Sequence, residues 1–536
     1  MMHLNDKGIQ KKEIWTEKKY EMPGFNRSSM IVATLKNPVW IHFGAGNIFR
    51  GFHAALMQTL LEKGLTDKGI IVGEGFDYDI IDDIYKPCDN LSLLVTLNAN
   101  GTIDKKVIAS VAAAWKCDSA FKVEWENFKK AFANPSLQIV TFTITEKGYA
   151  LSRGTEFLPF IITDFQTGPE GKLNSMMSKI TALVYYRYLN GKQKIALCST
   201  DNCSHNGEKL QNAVMTVARK WIEAGFCEAG FIDYLENQVA FPWSMIDKIT
   251  PRPDESVKAM LEHDDFSDTT VTITSKNTYI APFVNAERPQ YLVIEDNFPN
   301  GRPPMEKAGV YFTNRETVNK VERMKVCTCL NPLHTCLAIF GCLLGYTLIA
   351  DEMKDPQLNK MVNIIGYREG MPVVVDPKIL NPKDFIREVL EQRIPNPFMP
   401  DTPQRIATDT SQKLSIRFGE TIKAYQADKK LNVADLKLIP LVFAGWCRYL
   451  MGIDDNGKAF IPSNDPRLAS SQSFLKDISL GDKGPFDKTL KPLLSDETLF
   501  GVDLYKAGLA NLVTQYFTEL VSGPGAVRAT LEKYVK

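Results

Sequence analysis

The sequence predicts an α/β Rossmann-type N-terminal domain with added antiparallel strands, followed by a mainly α-helical C-terminal domain. Three observations carry this. Short apolar strands alternate with helical stretches from Val39 to Ser199, a Gly-x-Gly turn joins the first such strand to its helix, and helical spacing takes over from about Val318. At 536 residues the chain exceeds a single core. The expected organisation is a charged, weakly patterned extension over 1–36, a nucleotide-binding domain over 37–305 and a helical substrate-binding domain over 306–536.

In chain order, Val39-Trp40-Ile41-His42-Phe43 reads as a short buried strand, followed by Gly44-Ala45-Gly46 and an amphipathic helix through Leu61. Gly69–Gly73 closes a βαβ unit. Ser92–Leu97, Gln138–Ile144 and Ile195–Ser199 are further strands, with helices such as Ser119–Ala133 and Ser175–Tyr188 between them, which implies a mostly parallel sheet covered on both faces. Val271–Thr274, Tyr279–Val284 and Tyr291–Ile294 stand too close together for βα crossovers and read as antiparallel additions to that sheet. Beyond Val318 the helical stretches are Met324–Ala350, Lys383–Gln392, Asp401–Tyr425, Val433–Met451, Pro466–Leu475, Leu504–Val521 and Ala526–Tyr534.

Lys plus Arg and Asp plus Glu both number 63, so bulk charge gives nucleic acid no support. The N-terminus lacks the apolar stretch of a signal peptide. The uncharged run from Val326 to Ala350 reaches the ~20-residue length of a membrane span. Asn331, Pro332 and His334 near its start suit a buried, functional helix better. Ten cysteines without a regular framework fit a reducing cytoplasm.

The turn Gly44-Ala45-Gly46-Asn47-Ile48-Phe49-Arg50 stands where a strand hands over to a helix. Glycines there let backbone N–H groups approach a pyrophosphate at the helix N-terminus. Phe49 occupies the usual place of a third glycine, and Arg50 is a candidate partner for phosphate. Glu74 ends the second strand, with Asp77 three residues later. Either could accept from the hydroxyls of an adenosine ribose, and no Arg or Lys between Gly73 and Ile84 invites a 2′-phosphate, so NAD is preferred over NADP.

The chemically richest segment runs from Val321 to His334, where Glu322, Lys325, Asn331 and His334 open an otherwise apolar helix. A lysine in a dry pocket disfavours its ammonium form and can take a proton. An Asn amide can donate to a developing alkoxide, and His334 shares a helical face with Asn331. Cys198, Cys203 and His205, and likewise Cys327, Cys329 and His334, lack the paired spacing of structural zinc, so no metal is expected.

Lys325, Asn331 and His334 in this order resemble the polyol-specific long-chain dehydrogenases, the mannitol dehydrogenase family. Thr143–Tyr149 resembles that family's TITE-x-GY segment, and Asp201-Asn202 with Asn206-Gly207 its DN…NG turn. Phe241–Pro251 resembles FP-x-SMVDRITP and Leu292–Phe298 resembles WVIED-x-F. Arg405 and Lys413 fall on the helical domain's substrate-binding pattern. The resemblance implies metal-independent hydride transfer between NAD(H) and a sugar alcohol or sugar acid. Lys325 would be the general acid/base, Asn202 and Asn331 would donate to the reacting oxygen, and Glu322 would relay the proton. His334, Arg405, Lys413 and Asp247 would face substrate, with Glu146 beside the cofactor. Within the family, the Asn-Pro form of the motif and the chain length resemble members that interconvert D-mannonate and D-fructuronate. Mannitol and tagaturonate are the alternative substrates, and a catalytically silent NAD- or sugar-binding protein is the reading of another class.

One departure matters. Five residues separate Lys325 from Asn331, where the family usually has four. Six α-helical steps rotate Asn331 about 240° from Lys325, so a continuous helix would not converge them. Pro332 favours a break that could absorb the spare residue, with Asn331 as cap and Pro332 as the first residue of the next helix.

Overall fold

The computed structural model describes residues 1–536. It divides into two compact units, one of Met1–Asn98 with Thr102–Asn319, the other of Ala99–Gly101 with Lys320–Lys536.

The first unit is built on a six-stranded sheet. Its strands are β1 (Trp40–Phe43), β2 (Ile70–Glu74), β3 (Val111–Lys116), β4 (Ile139–Phe142), β5 (Ile195–Ser199) and β6 (Val239–Ala240). They lie in the order β6-β5-β4-β1-β2-β3, and every neighbouring pair is parallel. The order reverses between β1 and β4, which opens a crevice at their C-terminal ends. The near-continuous apolar runs follow from burial on both faces. Ile41, Phe43, Val140 and Leu197 enter one core with helices Lys122–Ala133, Met176–Leu189 and Asn206–Glu223, while Trp40, Val72 and Ile139 enter another with helix α1 (Ala54–Glu62).

The extra strands assemble into small sheets of their own instead of extending the six-stranded one. Thr272–Ile273 and Tyr279–Ile280 form an antiparallel hairpin. Phe283–Glu287 runs parallel to Ser92–Leu97, which is itself antiparallel to Ile103–Ile108. Tyr291–Glu295 is antiparallel to Ser244–Asp247 and parallel to Tyr311–Thr313. Residues 1–36, read from the sequence as an extension, contain helices Lys12–Glu17 and Arg27–Lys36, and Tyr20–Glu21 pairs in parallel with Ile103–Ile108. Trp15 and Tyr20 anchor them, each buried against Phe266. Single aromatic anchors of this kind leave no periodic signal.

The second unit is helical. Leu438–Leu450 is buried along its whole length and packs on Ala510–Leu520 and on Asn331–Leu344. The helical stretch Arg315–Leu344 is long and apolar enough to cross a membrane, yet 83% of its most apolar window is buried inside the protein. The stretch expected as one helix over Asp401–Tyr425 is broken. Pro403–Ile406, a 3₁₀ turn Thr410–Gln412, a π-helical turn Ser415–Gly419 and Glu420–Ala427 follow one another. Helices at Pro356–Ile364 and Asp487–Leu494 carry no counterpart in the sequence reading.

Candidate active site

In the first unit the phosphate loop leaves β1 at Gly44. Its φ of +110° favours glycine, and a Cβ there would stand 2.2 Å from the Thr143 carbonyl oxygen. Gly46 is different, since a Cβ there would meet nothing within 4 Å. Packing within the protein does not require glycine at that position. The open space lies over the start of the helical segment, where a ligand's phosphates would approach the backbone. Phe49 takes the place of a third glycine by other means. It opens a π-helical turn, Phe49–His53, and its ring stacks on His42 of β1 at 4.5 Å. Gly51 then brings the widened turn against Thr250 and Ala286, 3.1 and 3.5 Å from where a Cβ would lie.

Arg50 does not serve the loop as expected. It is fully buried, donating through Nε to Ser92 Oγ (2.9 Å) and through Nη2 to the carbonyls of Ala281 and Pro282 (both 2.7 Å). Its Nη1 lies 3.5 Å from Asn47 Oδ1. The guanidinium therefore clamps the loop after Ile280 to the strand at Ser92. Ile48 is half-buried.

Ala45 is held from both sides. Its N–H donates to Glu74 Oε2 (2.9 Å) and its carbonyl accepts from Tyr85 (2.9 Å). Glu74 Oε1 accepts the N–H groups of Phe76 (2.9 Å) and Asp77 (3.1 Å). Burial raises the Glu74 carboxyl above its usual range, against the opposing pull of these amides. The residue expected to read a ribose is thus first a brace between the phosphate loop and the end of β2. Asp77 accepts from Thr274 through Oδ2 (2.7 Å), and its Oδ1 is buried with no partner. An orphan acceptor beside Glu74 fits a ligand that carries hydroxyls. Lys179 donates to the Gly75 carbonyl nearby but is paired with Asp118 at 3.1 Å.

The other wall of the crevice is tied by Asp201, after β5. Its carboxylate accepts from the amides of Ile144 (3.0 Å) and Thr145 (2.9 Å) and from the Tyr149 hydroxyl (2.6 Å). Burial raises its pKa nonetheless. Asn206 locks the same turn, donating to the Asp201 carbonyl and to Ser244 at 3.0 Å each. Gly207 is required because a Cβ would collide with Trp243 and the Phe241 and Pro242 carbonyls, all within 3 Å. Asn202 is exposed beside this turn, and Glu146 is exposed and paired with Lys209. Asp247 ends its strand buried, opposite Tyr291.

In the second unit the spare residue is absorbed earlier than expected. Lys325–Cys329 is a π-helical turn, closed by the Leu330 N–H on the Lys325 carbonyl (3.1 Å). Leu330, with φ −133° and ψ −62°, makes the break, and Asn331 is the first residue of a new helix, α2 (Asn331–Leu344), with Pro332 in its first turn. The cap is therefore Leu330 and not Asn331. Lys325 is buried and Glu322 half-buried.

His334 Nε2 lies 3.5 Å from Asp401 Oδ2. Burial and the fields of Arg417, Arg405, Arg393 and Lys413 press its pKa down to about 3, so the imidazole is neutral at physiological pH. Arg405 is largely exposed and pairs with Asp401. Lys413 donates to the carbonyls of Thr408 and Ile406, and its pKa is lowered by burial and by Arg417. Asp401, Arg393 and Arg417 were not singled out from the sequence. They sit in irregular or π-helical segments, which leave no spacing to read.

Residues 39–307 match the Mannitol dehydrogenase Rossmann domain, and residues 317–521 match the Mannitol dehydrogenase C-terminal domain. This chain belongs to the mannitol dehydrogenase family. As a member it is a dehydrogenase, and its relatives span both units. It is 52% identical over 537 residues to a D-mannonate oxidoreductase of Thermotoga maritima, covering 100% of this chain and 99% of that one. It is 29% identical to a mannitol 2-dehydrogenase of Pyrenophora tritici-repentis, over 87% of this chain and 76% of the relative. Among solved structures, the Pseudomonas fluorescens mannitol 2-dehydrogenase ternary complex with NAD and D-mannitol aligns with a TM-score of 0.68 and 25% identity, covering 99% of each chain. A substrate-free D-sorbitol dehydrogenase shares the fold, with a TM-score of 0.80 at 22% identity, covering 99% of this chain and 100% of that one.

Proposed function

We propose that this dehydrogenase uses NAD to interconvert D-mannonate and D-fructuronate. The observation that carries the substrate reading is the set of four cations, Arg393, Arg405, Lys413 and Arg417, whose fields reach His334. Such a field suits an anionic sugar acid. The 52% identity, end to end, with a D-mannonate oxidoreductase supports the same reading. NAD suits the first unit, where Gly46 leaves open space at a helix start and the acids Glu74 and Asp77 would repel a 2′-phosphate.

NAD, when bound, supplies the acceptor for the hydride that leaves the carbinol carbon. The chain's own residues manage the proton. Lys325 takes the hydroxyl proton as the carbonyl forms, and Glu322 passes it onward. Asn331 and Asn202 donate their amides to the oxygen that alternates between alcohol and carbonyl. His334, neutral, holds a substrate hydroxyl, and Arg405 and Lys413 bind the part of the substrate remote from the reaction. Asp247 and Glu146 support the substrate and cofactor ends.

The test is NADH oxidation with fructuronate, tagaturonate and fructose in parallel, repeated with NADPH. Fructuronate with NADH is expected to give the highest kcat/KM. Preference for fructose would make the enzyme a mannitol 2-dehydrogenase, and preference for tagaturonate a tagaturonate reductase. No turnover of any of the three would favour a silent binding protein.

A further inference from the structure

Two of the four cations around His334 are compensated by partners within the protein. Arg405 has Asp401, and Lys413 has two backbone carbonyls with Asp409 and Asp465 near it, while Arg393 is buried in its own helical turn with its Nη2 lacking an acceptor. Arg417 is different. It projects from the π-helical turn Ser415–Gly419, which packs against the turn Lys325–Cys329 and against α2. Its Nη1 donates to the Thr335 hydroxyl, and Thr335 in turn donates to the Asn331 carbonyl at 3.0 Å. The guanidinium is thereby fixed to the first turn of the helix that carries Asn331 and His334. Its partner is a neutral hydroxyl. Burial alone accounts for its lowered pKa of about 10, with no carboxylate pulling the other way.

Arg417 is half-buried, and a partly desolvated guanidinium without a counter-ion is poorly compensated, a state that an incoming carboxylate relieves. Arg417 also retains donors beyond the one used on Thr335, and a planar fork matches a carboxylate better than it matches a hydroxyl. We propose that Arg417 is the carboxylate anchor that makes this site select a sugar acid over a neutral polyol. The inference rests on the mannonate reading and sharpens it. In mannonate the carboxylate lies at the far end of the carbon chain from the carbinol that is oxidised, so a specificity residue need not be one that handles the proton.

The experiment compares wild type, Arg417→Met and Arg417→Lys with fructuronate and fructose at saturating NADH, using D-mannonate and D-mannitol as competing ligands for the same comparison. Removing the fork should lower fructuronate kcat/KM about 10- to 100-fold, mostly through KM, while fructose changes little. D-mannonate should weaken as an inhibitor and D-mannitol should not. Arg417→Lys, which keeps the charge without the fork, should lie between. If Arg417→Met does not fold, the Lys variant alone decides, because a rise in fructuronate KM without a matching rise for fructose supports the anchor. Equal losses for both substrates, or unchanged fructuronate kinetics, would overturn it. A wild type that reduces fructuronate but ignores the Arg417 changes defeats this inference alone. A wild type that prefers fructose defeats the mannonate reading with it.

Discussion

Glu74→Gln isolates the brace beneath the phosphate loop. The carboxylate serves three amides: Oε2 takes the Ala45 N–H, and Oε1 takes those of Phe76 and Asp77. A glutamine has one carbonyl oxygen. Turned towards Phe76 and Asp77, it sets its NH₂ against the Ala45 N–H, and turned the other way it leaves two amides unmet. At best one buried donor loses its acceptor, which costs about 1–3 kcal/mol. Because Ala45 lies between the two loop glycines, that loss should appear as NADH affinity weakened roughly 5- to 100-fold, at about 1.4 kcal/mol per tenfold. The assay is NADH and NADPH titration by fluorescence, with thermal melting of the free protein alongside. A brace predicts that both cofactors weaken together. Were NADPH to bind better while NADH weakened, Glu74 would be acting on the ribose directly. Unchanged NADH affinity and melting temperature would refute the brace outright.

Lys325→Met should retain NADH binding, since the phosphate loop belongs to the other unit, while turnover falls ~10²–10⁴-fold. Near-normal rates would remove Lys325 from the chemistry. Glu352 is a separate test of buried charge, because both its oxygens are buried without a partner and burial, then Asp355, pushes its pKa from 4.5 up to about 10. The folded state keeps this proton while the unfolded chain releases it, so wild-type stability should fall as pH rises from 4.5 towards 10. Glu352→Gln removes that slope, so its advantage over wild type should grow by about 3 kcal/mol between pH 4.5 and 7, at about 1.4 kcal/mol per unit. Parallel denaturation midpoints across pH would show that the carboxyl is solvated.

Local spacing determined a good deal here. The apolar runs of β1, β2, β4 and β5, the glycine at position 44 and the helical texture beyond Val318 follow from chain neighbours alone, because strand and helix periods are local properties. The order Lys325, Asn331, His334 was likewise legible, as were the segments by which the chain resembles its family. The fate of individual charges was not. Arg50 looked available to phosphate until the fold brought up the carbonyl of Ala281, 231 residues away. Glu74 stood correctly at the end of β2, yet its three amide partners belong to a geometry that no spacing encodes. The extra residue before Asn331 was visible as a count, and only the π-helical turn at Lys325–Cys329 decided where it went. Arg417 gave no sequence signal because its significance is the absence of a carboxylate in three dimensions. Periodicity is set over a few residues, whereas burial and pairing of a charge depend on every element that packs around it, and those elements are far apart in the chain.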